Sequence, residues 1–196
     1  MRPTRFSLPL IAPALLLPLA LTACDKGPSV SATNATTAEV QAKVAAAGGG
    51  ENAFMVEPGR WEGSMTMHDI EMAGMAAMPP EAKAQMMKEM GAAKPFISCV
   101  TPEDVKANKA FFTGDETKSC KYDHFNLAGG KVDAAMACAE PGGAKMTMTM
   151  SGAYTPQSYT MEVASKTTGN TPMAMSMKMS IAAKRVGVCK GTPDES

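Results

Sequence analysis

The chain has 196 residues with 19 basic and 19 acidic side chains, so its formal net charge is zero. This balance provides no electrostatic footprint for nucleic acid. It contains 19 methionines but only 6 phenylalanines, 3 tyrosines and 1 tryptophan, which favours a core built largely from thioethers.

Residues 1–23 are predicted to be a secretory signal peptide. Two arginines precede an apolar stretch at 6–21, and this stretch ends in the tetrapeptide Leu21-Thr22-Ala23-Cys24. The stretch contains three prolines and is short for a membrane-spanning helix, which needs ~20 apolar residues. The tetrapeptide resembles the lipobox of bacterial lipoproteins, whereas an ordinary signal peptide with a chance cysteine is the alternative. We therefore expect lipid attachment at Cys24, export to the cell envelope on the periplasmic side, and the membrane as a partner.

Residues 24–54 are rich in Ser, Thr, Ala and Gly, which predicts a flexible tether. One short helix is expected inside it, from Ala38 to Ala47, because three glycines at 48–50 would stop a helix there.

Alternation of apolar and polar residues begins at Gly59 and predicts a single β domain over residues 55–190. In the first segment, Trp61, Met65 and Met67 share one face while Arg60 and Glu62 lie on the other. The later inward positions are Val132, Ala134 and Met136; Met146, Met148 and Met150; Tyr159, Met161 and Val163; and Met173, Met175, Met177, Met179 and Ile181.

The predicted fold is mainly β: about seven strands form a single antiparallel meander sheet, curled or closed into a small barrel. One or two short helices are expected within it, starting at Pro79-Pro80 and at Thr101-Pro102. Residues 191–196 are predicted to be a disordered tail.

Four cysteines follow Cys24, and in an exported chain an even set predicts two disulfides with three possible connectivities. A hairpin turning at Gly129-Gly130, with an odd-numbered loop centred on Gly129, would place Cys120 directly opposite Cys138. We therefore expect Cys120 to pair with Cys138 and Cys99 with Cys189, while a bond between Cys99 and Cys120 is the chief rival. A zinc site is disfavoured because no spacing matches C-x2-4-C.

Several motifs occur in a fixed order between Glu57 and Cys189: PGRWE at 58–62, SCVTPEDV at 98–105, a GG hairpin ending in cysteine, and KRVGVC at 184–189. As an ordered set they resemble domain-of-unknown-function family 3617, small exported bacterial proteins that often carry a lipobox. The resemblance implies a common layout and common cysteine positions, but it brings no activity, ligand or catalytic residue.

Few side chains in the sequence are candidates for a catalytic role. Only His68 and His124 could act as bases at neutral pH, and neither lies in a nucleophile motif such as G-x-S-x-G. No phosphate-cradling glycine loop or dinucleotide fingerprint is present. The sequence therefore predicts a protein that is not an enzyme and uses no cofactor.

The methionine-rich face is predicted to be a binding surface for a small apolar ligand or another envelope protein. The ligand-facing candidates are Trp61, Met148, Tyr159 and Met177. A helix from Glu81 to Met90 could cover this face as a lid.

Binding of Cu(I) or Ag(I) is the alternative function, because thioether sulfur is a soft ligand. The candidate ligands lie in one methionine-rich stretch and are Met65, Met67, His68, Met72, Met75 and Met78.

Overall fold

Eight antiparallel strands form one sheet in the computed structural model, which describes residues 29–47, 56–106, 119–169, 174–192 and 194–195. The strands are β1 (Val30–Thr36), β2 (Gly59–Met72), β3 (Lys94–Val100), β4 (Cys120–Ala128), β5 (Lys131–Ala139), β6 (Lys145–Thr155), β7 (Ser158–Thr168) and β8 (Met175–Gly187). The helices are α1 (Thr37–Ala47), α2 (Pro80–Met90) and α3 (Pro102–Lys106), with short 3-10 turns at Met75–Ala77 and Pro141–Gly143.

The strand order is β1-β4-β5-β6-β7-β8-β2-β3. Strands β4 to β8 pair successively as a meander, β8 then pairs with β2, and β2 pairs with β3. The seven strands β2 to β8 thus form an open ring, in which β3 and β4 do not pair with each other. Strand β1, which was not predicted, pairs with the free edge of β4. Buried residues from both sides of this opening belong to one core cluster. The predicted curled antiparallel sheet is confirmed, although the sheet is not closed.

Strand β1 and helix α1 correct the prediction that residues 24–54 are a tether. The helix occupies the range expected for it, but Val40 and Val44 are only 0% and 1% exposed because they pack into the core. A capping box starts the helix: the Thr36 backbone N donates to the Glu39 carboxylate, and the Glu39 N donates to the Thr36 hydroxyl. Residues 30–47 therefore belong to the folded domain. The rest of the predicted tether lies outside the described residues, apart from residue 29.

Both predicted disulfides, Cys120–Cys138 and Cys99–Cys189, are confirmed. The hairpin geometry differs from the expectation, because Gly129 and Gly130 form a two-residue turn with positive φ at both positions. A shift of register at Asp123 in β4 then places Cys120 directly opposite Cys138. The two disulfides indicate an oxidising environment such as exported proteins meet.

The C-terminal segment corrects the predicted disordered tail. Arg60 donates from Nη1 to Glu195 at 2.6 Å and from Nη2 to Asp194 at 3.1 Å. Because these carboxylates cover it, Arg60 is 8% exposed although alternation places it on the polar face. Residues 193 and 196 lie outside the described residues.

Helices α2 and α3 start where the proline signals predict them. Helix α2 has no buried residue and lies against β2. Its Lys83 and Met87 line a groove together with outward residues such as Thr147, so the predicted lid over the methionine-lined face is corrected: the helix lies beside the polar face. Within the described parts of the chain, no helix is both long and apolar enough to cross a bilayer.

Candidate functional site

The inward face of β7 lies between two rows of methionines. Residues directly opposite each other in an antiparallel pair project from the same face of the sheet. Three successive inward residues of β7 each have one methionine opposite them on β6 and one on β8: Val163 has Met150 and Met179, Ser165 has Met148 and Met177, and Thr167 has Met146 and Met175. The side chains of Val163, Ser165 and Thr167 are thus flanked by thioethers on both neighbouring strands.

The thioether face continues onto the next strands. On β2, Met67 lies opposite Met179 and Met72 lies opposite Met175, while on β5 Met136 lies opposite Met148. A shift of register between Met67 and Asp69 keeps the later residues of β2 in phase with β8. The predicted inward methionines therefore share one face, except Met173, which lies outside the described residues.

One end of this face is closed by aromatic side chains. Trp61 is 1% exposed, its ring centroid lies 5.7 Å from that of Tyr159, and its Nε1 donates to the Glu57 carbonyl at 3.1 Å. Near this end, Gly63 leaves room for the Phe96 ring and for Ala183, since a Cβ there would lie 2.5 Å from Cζ of Phe96 and 2.8 Å from the Ala183 Cβ.

A cavity of about 310 Å³ lies at this aromatic end. Its lining is Val56, Trp61, Ser98, Val100, Met150, Tyr154, Tyr159, Met161, Val163 and Ile181. Burial raises the pKa of both tyrosine hydroxyls, so they are neutral hydrogen-bonding groups at ordinary pH. The cavity is therefore an apolar chamber with three hydroxyl-bearing side chains in its wall.

Two of the four ligand-facing candidates, Trp61 and Tyr159, line this cavity. Met148 and Met177 lie on the same face but one row further along, on either side of Ser165. The alternation predicts which side chains project from the apolar face, but not where along the strands a cavity forms. Sequence reasoning therefore missed Met150, Met161 and Ile181 as cavity residues.

The opposite end of the methionine face is open. Met72 and Met175, which are 37% and 36% exposed, form a rim there beside Thr167. A surface depression of about 350 Å³ lies at this rim and also contacts Lys166 and Glu71.

A larger groove of about 590 Å³ is lined mainly by residues of the polar face. Lys178 Nζ lies 3.0 Å from Asp69 Oδ2 and Ser176 Oγ lies 3.4 Å from Glu71 Oε2, with Lys83 and Lys166 nearby. Exposed pairs of this kind interact weakly, so this groove offers less for specific recognition than the apolar cavity.

The structure places the candidate metal ligands of the 65–78 stretch on both faces of β2 and in the turn that follows it. His68 lies 2.7 Å from Ser180 Oγ on the polar side, whereas Met67 lies opposite Met179 on the apolar face. Met75 is buried, with its sulfur accepting from the Met72 backbone N at 3.2 Å, and Met65 and Met78 are half-buried.

Among the described residues, Cys99, Cys189 and Glu195 have potential metal-ligand atoms within 4.8 Å of one another. The two sulfurs are joined in a disulfide, so they are not thiolate ligands.

The family described as "Protein of unknown function (DUF3617)" matches residues 56–189. The comparison with curated proteins gave no match, and neither did the comparison with solved structures. The matched region holds both disulfides and the whole cavity. Because the match covers most of the chain, this protein belongs to the DUF3617 family.

Proposed function

We propose that this protein is a non-catalytic binding protein of the bacterial cell envelope that holds a small apolar ligand against its methionine-lined face. The observation that carries the proposal is the 310 Å³ cavity walled by Trp61, Tyr154, Tyr159 and two methionines. Cavities of ~300–1,000 Å³ with mostly apolar walls and a few polar groups are typical of ligand sites.

The side chains of the wall suit an apolar ligand of variable shape. Methionine is unbranched and polarizable, so it adapts to irregular surfaces. Each apolar Å² removed from water contributes about 25 cal/mol, while Ser98 and the tyrosine hydroxyls can orient one polar group. No charged side chain lines the cavity within the described residues, so an ionic headgroup would have to remain outside it.

The proposed location rests on two features. The lipobox-like tetrapeptide ending at Cys24 supports lipid attachment, and the two disulfides support an oxidising compartment. We therefore place the protein on the periplasmic side of a membrane, held by a lipid anchor.

Trp61 provides a direct test, because it is the single tryptophan and it lines the cavity. The mature chain with Cys24→Ser is titrated with a long-chain fatty acid while tryptophan emission is recorded. A saturable change is expected, and Val163→Phe, which fills the cavity, should weaken binding about tenfold, a loss of ~1.4 kcal/mol.

The matched control is Thr160→Phe, which places the same ring on the exposed, polar side of the same strand. It should leave the affinity unchanged. An emission spectrum that does not respond to the fatty acid, or an equal loss of affinity in both variants, would contradict the proposal.

Binding of Cu(I) or Ag(I) stays a second proposal with weaker support, since His68 and Met67 lie on different faces and Met75 is buried. A Cu(I) titration against a competing chelator tests it. Replacing the five methionines of the 65–78 stretch by leucine should abolish binding if this stretch is the site.

A further inference from the structure

The position of β1 fixes how far the folded domain can stand from a lipid on Cys24. Strand β1 begins at Val30, only six residues after that cysteine. Six steps along even a fully extended chain span at most about 22 Å. Since residues 30–47 are part of the domain rather than a spacer, the first strand must start close to the membrane surface.

The start of β1 lies at a defined end of the sheet, which we call the anchor end. Val30 lies opposite Leu127, two residues before the β4–β5 turn at Gly129 and Gly130. The β6–β7 hairpin reaches the same end, because the Tyr154 backbone N donates to the Gly130 carbonyl at 2.7 Å. The aromatic end of the cavity, with Tyr154 and Tyr159, is therefore at the anchor end.

The methionine rim lies at the other end. Cys120 precedes Leu127 by seven residues on β4, a distance of about 24 Å along a strand, and the row that crosses the sheet from Cys120 leads through Met146 to Met175 and Met72. The 3-10 turn at Met75–Ala77 follows Met72 at this end. A linker of about 22 Å starting at Val30 does not reach past the rim.

The anchor end carries exposed side chains of both charges, since Glu62 and Asp194 are exposed there beside two lysines that can meet phospholipid headgroups. Lys131 follows the β4–β5 turn, and Lys184 lies near the end of β8; both are exposed, and neither forms an ion pair within the described residues. Val186 and Val188 are 42% and 75% exposed beyond the β6–β7 turn. Lysines near an anionic membrane surface are attracted to its headgroups.

Charge alone does not choose between the ends, because Lys145 and Lys166 are exposed near the rim. The length of the linker distinguishes the two ends, because a linker that starts at Val30 can hold only the anchor end against the bilayer. We propose that the anchor end rests on the bilayer and that the methionine rim points away from it. This orientation rests on the lipid attachment proposed above, and it places the aromatic end of the cavity next to lipid chains as the nearest source of an apolar ligand.

Lysine footprinting tests the orientation without any substitution in the domain. The lipidated full chain is reconstituted into vesicles of phosphatidylcholine and phosphatidylglycerol, treated with a membrane-impermeant acylating reagent, and compared with the same protein in detergent. Mass spectrometry should show labelling of Lys131 and Lys184 slowed several-fold in vesicles, with Lys145 and Lys166 unchanged.

Slower labelling of Lys145 and Lys166, or equal labelling of all four lysines in both preparations, would overturn the proposal. So would an intact mass showing no lipid on Cys24. The footprint is recorded without ligand, so its outcome is independent of the fatty-acid titration. A protein that fails to bind fatty acid could still show the expected lysine pattern, and the reverse also holds.

Discussion

At the scale of single residues, Arg60 is the point at which the C-terminal segment is tied to the sheet. A largely buried guanidinium is costly unless it is paired, and here Asp194 and Glu195 supply the charges. Glu195 is also fixed by the backbone, since it accepts from the N–H groups of Lys190 at 2.8 Å and Gly191 at 2.9 Å. These contacts make Glu195 a defined part of the structure although it is the second-last residue.

The Glu195 carboxyl predicts an acid-sensitive contribution to stability. The Lys190 backbone N–H, and then the Arg60 guanidinium, lower the pKa of Glu195 below its ordinary value of 4.5. A carboxyl with a lowered folded-state pKa stabilises the fold above its unfolded-state value, and this contribution is lost as pH falls through the folded-state pKa. We expect Glu195→Gln to lower the unfolding temperature at neutral pH and to have progressively less effect below pH 4.5.

Thermal unfolding followed by circular dichroism across this pH range measures the difference between the two proteins. Glu62→Gln is the control, because Glu62 is exposed and its nearest approach to Arg60 is 3.5 Å. A destabilisation by Glu195→Gln that is the same at all pH values would show that the charge of Glu195 is not responsible.

The alternation of apolar and polar residues in this chain predicts correctly which face of the sheet a side chain projects from. It predicts less well how deeply that side chain is buried. It places Met146, Met148 and Met150 on the apolar face, where they are half-buried. It also places Arg60 on the polar face, yet this side chain is buried because a distant segment covers it. Burial by residues far along the chain leaves no periodic signal, so it could not be predicted locally.

At the scale of elements, helix α1 shows how composition can hide a folded segment. The Ser, Thr and Ala content of residues 30–47 is typical of a linker, but the Thr36-to-Glu39 spacing of a capping box and two valines four residues apart are signals of a packed helix. The helix itself could be predicted from these signals. Its burial could not, because two valines form only a narrow apolar stripe.

Helix α1 should contribute to the stability of the domain if its valines are core residues. Val40→Ala removes two methyl groups from a site that is 0% exposed, which should cost about 2 kcal/mol in the free energy of unfolding. Denaturant unfolding of the mature chain measures this value. Gln41→Ala, the neighbouring position on a less buried side of the helix, should change it by less than about 0.5 kcal/mol.

An equal and small effect of Val40→Ala and Gln41→Ala would indicate that α1 is separable from the domain. The anchor-end orientation would be unaffected, because it rests on the start of β1 and on the pairing of β1 with β4.

At the scale of the whole molecule, the sequence predicts the neighbours within the meander but not the opening of the ring. Short turns such as Gly129-Gly130 force β4 and β5 to pair, and β6 and β7 are joined in the same way. No local signal says that β1 rather than β3 takes the free edge of β4. That choice depends on long-range packing, including α1 against β1 and β4.

The two disulfides hold this open ring at different places, which predicts an order of reduction. Cys120 and Cys138 are buried, whereas Cys99 and Cys189 are half-buried and join the edge strand β3 to the residues just after β8. Because a reductant must reach the sulfur atoms, Cys99–Cys189 should open first under native conditions. Alkylation followed by mass spectrometry should therefore label Cys99 and Cys189 while Cys120 and Cys138 stay joined.

Loss of the first bond should also destabilise the chain strongly, because it closes a loop over a sequence separation of 90 residues. Loop entropy assigns about 4.5 kcal/mol to such a loop and about 3 kcal/mol to the shorter one. A Cys99→Ser, Cys189→Ser variant should unfold at a markedly lower denaturant concentration, and its remaining bond should resist the same reductant until denaturant is added. Simultaneous labelling of all four cysteines would instead mean that both disulfides become accessible in one cooperative unfolding of the sheet, and that Cys99–Cys189 is not reduced separately.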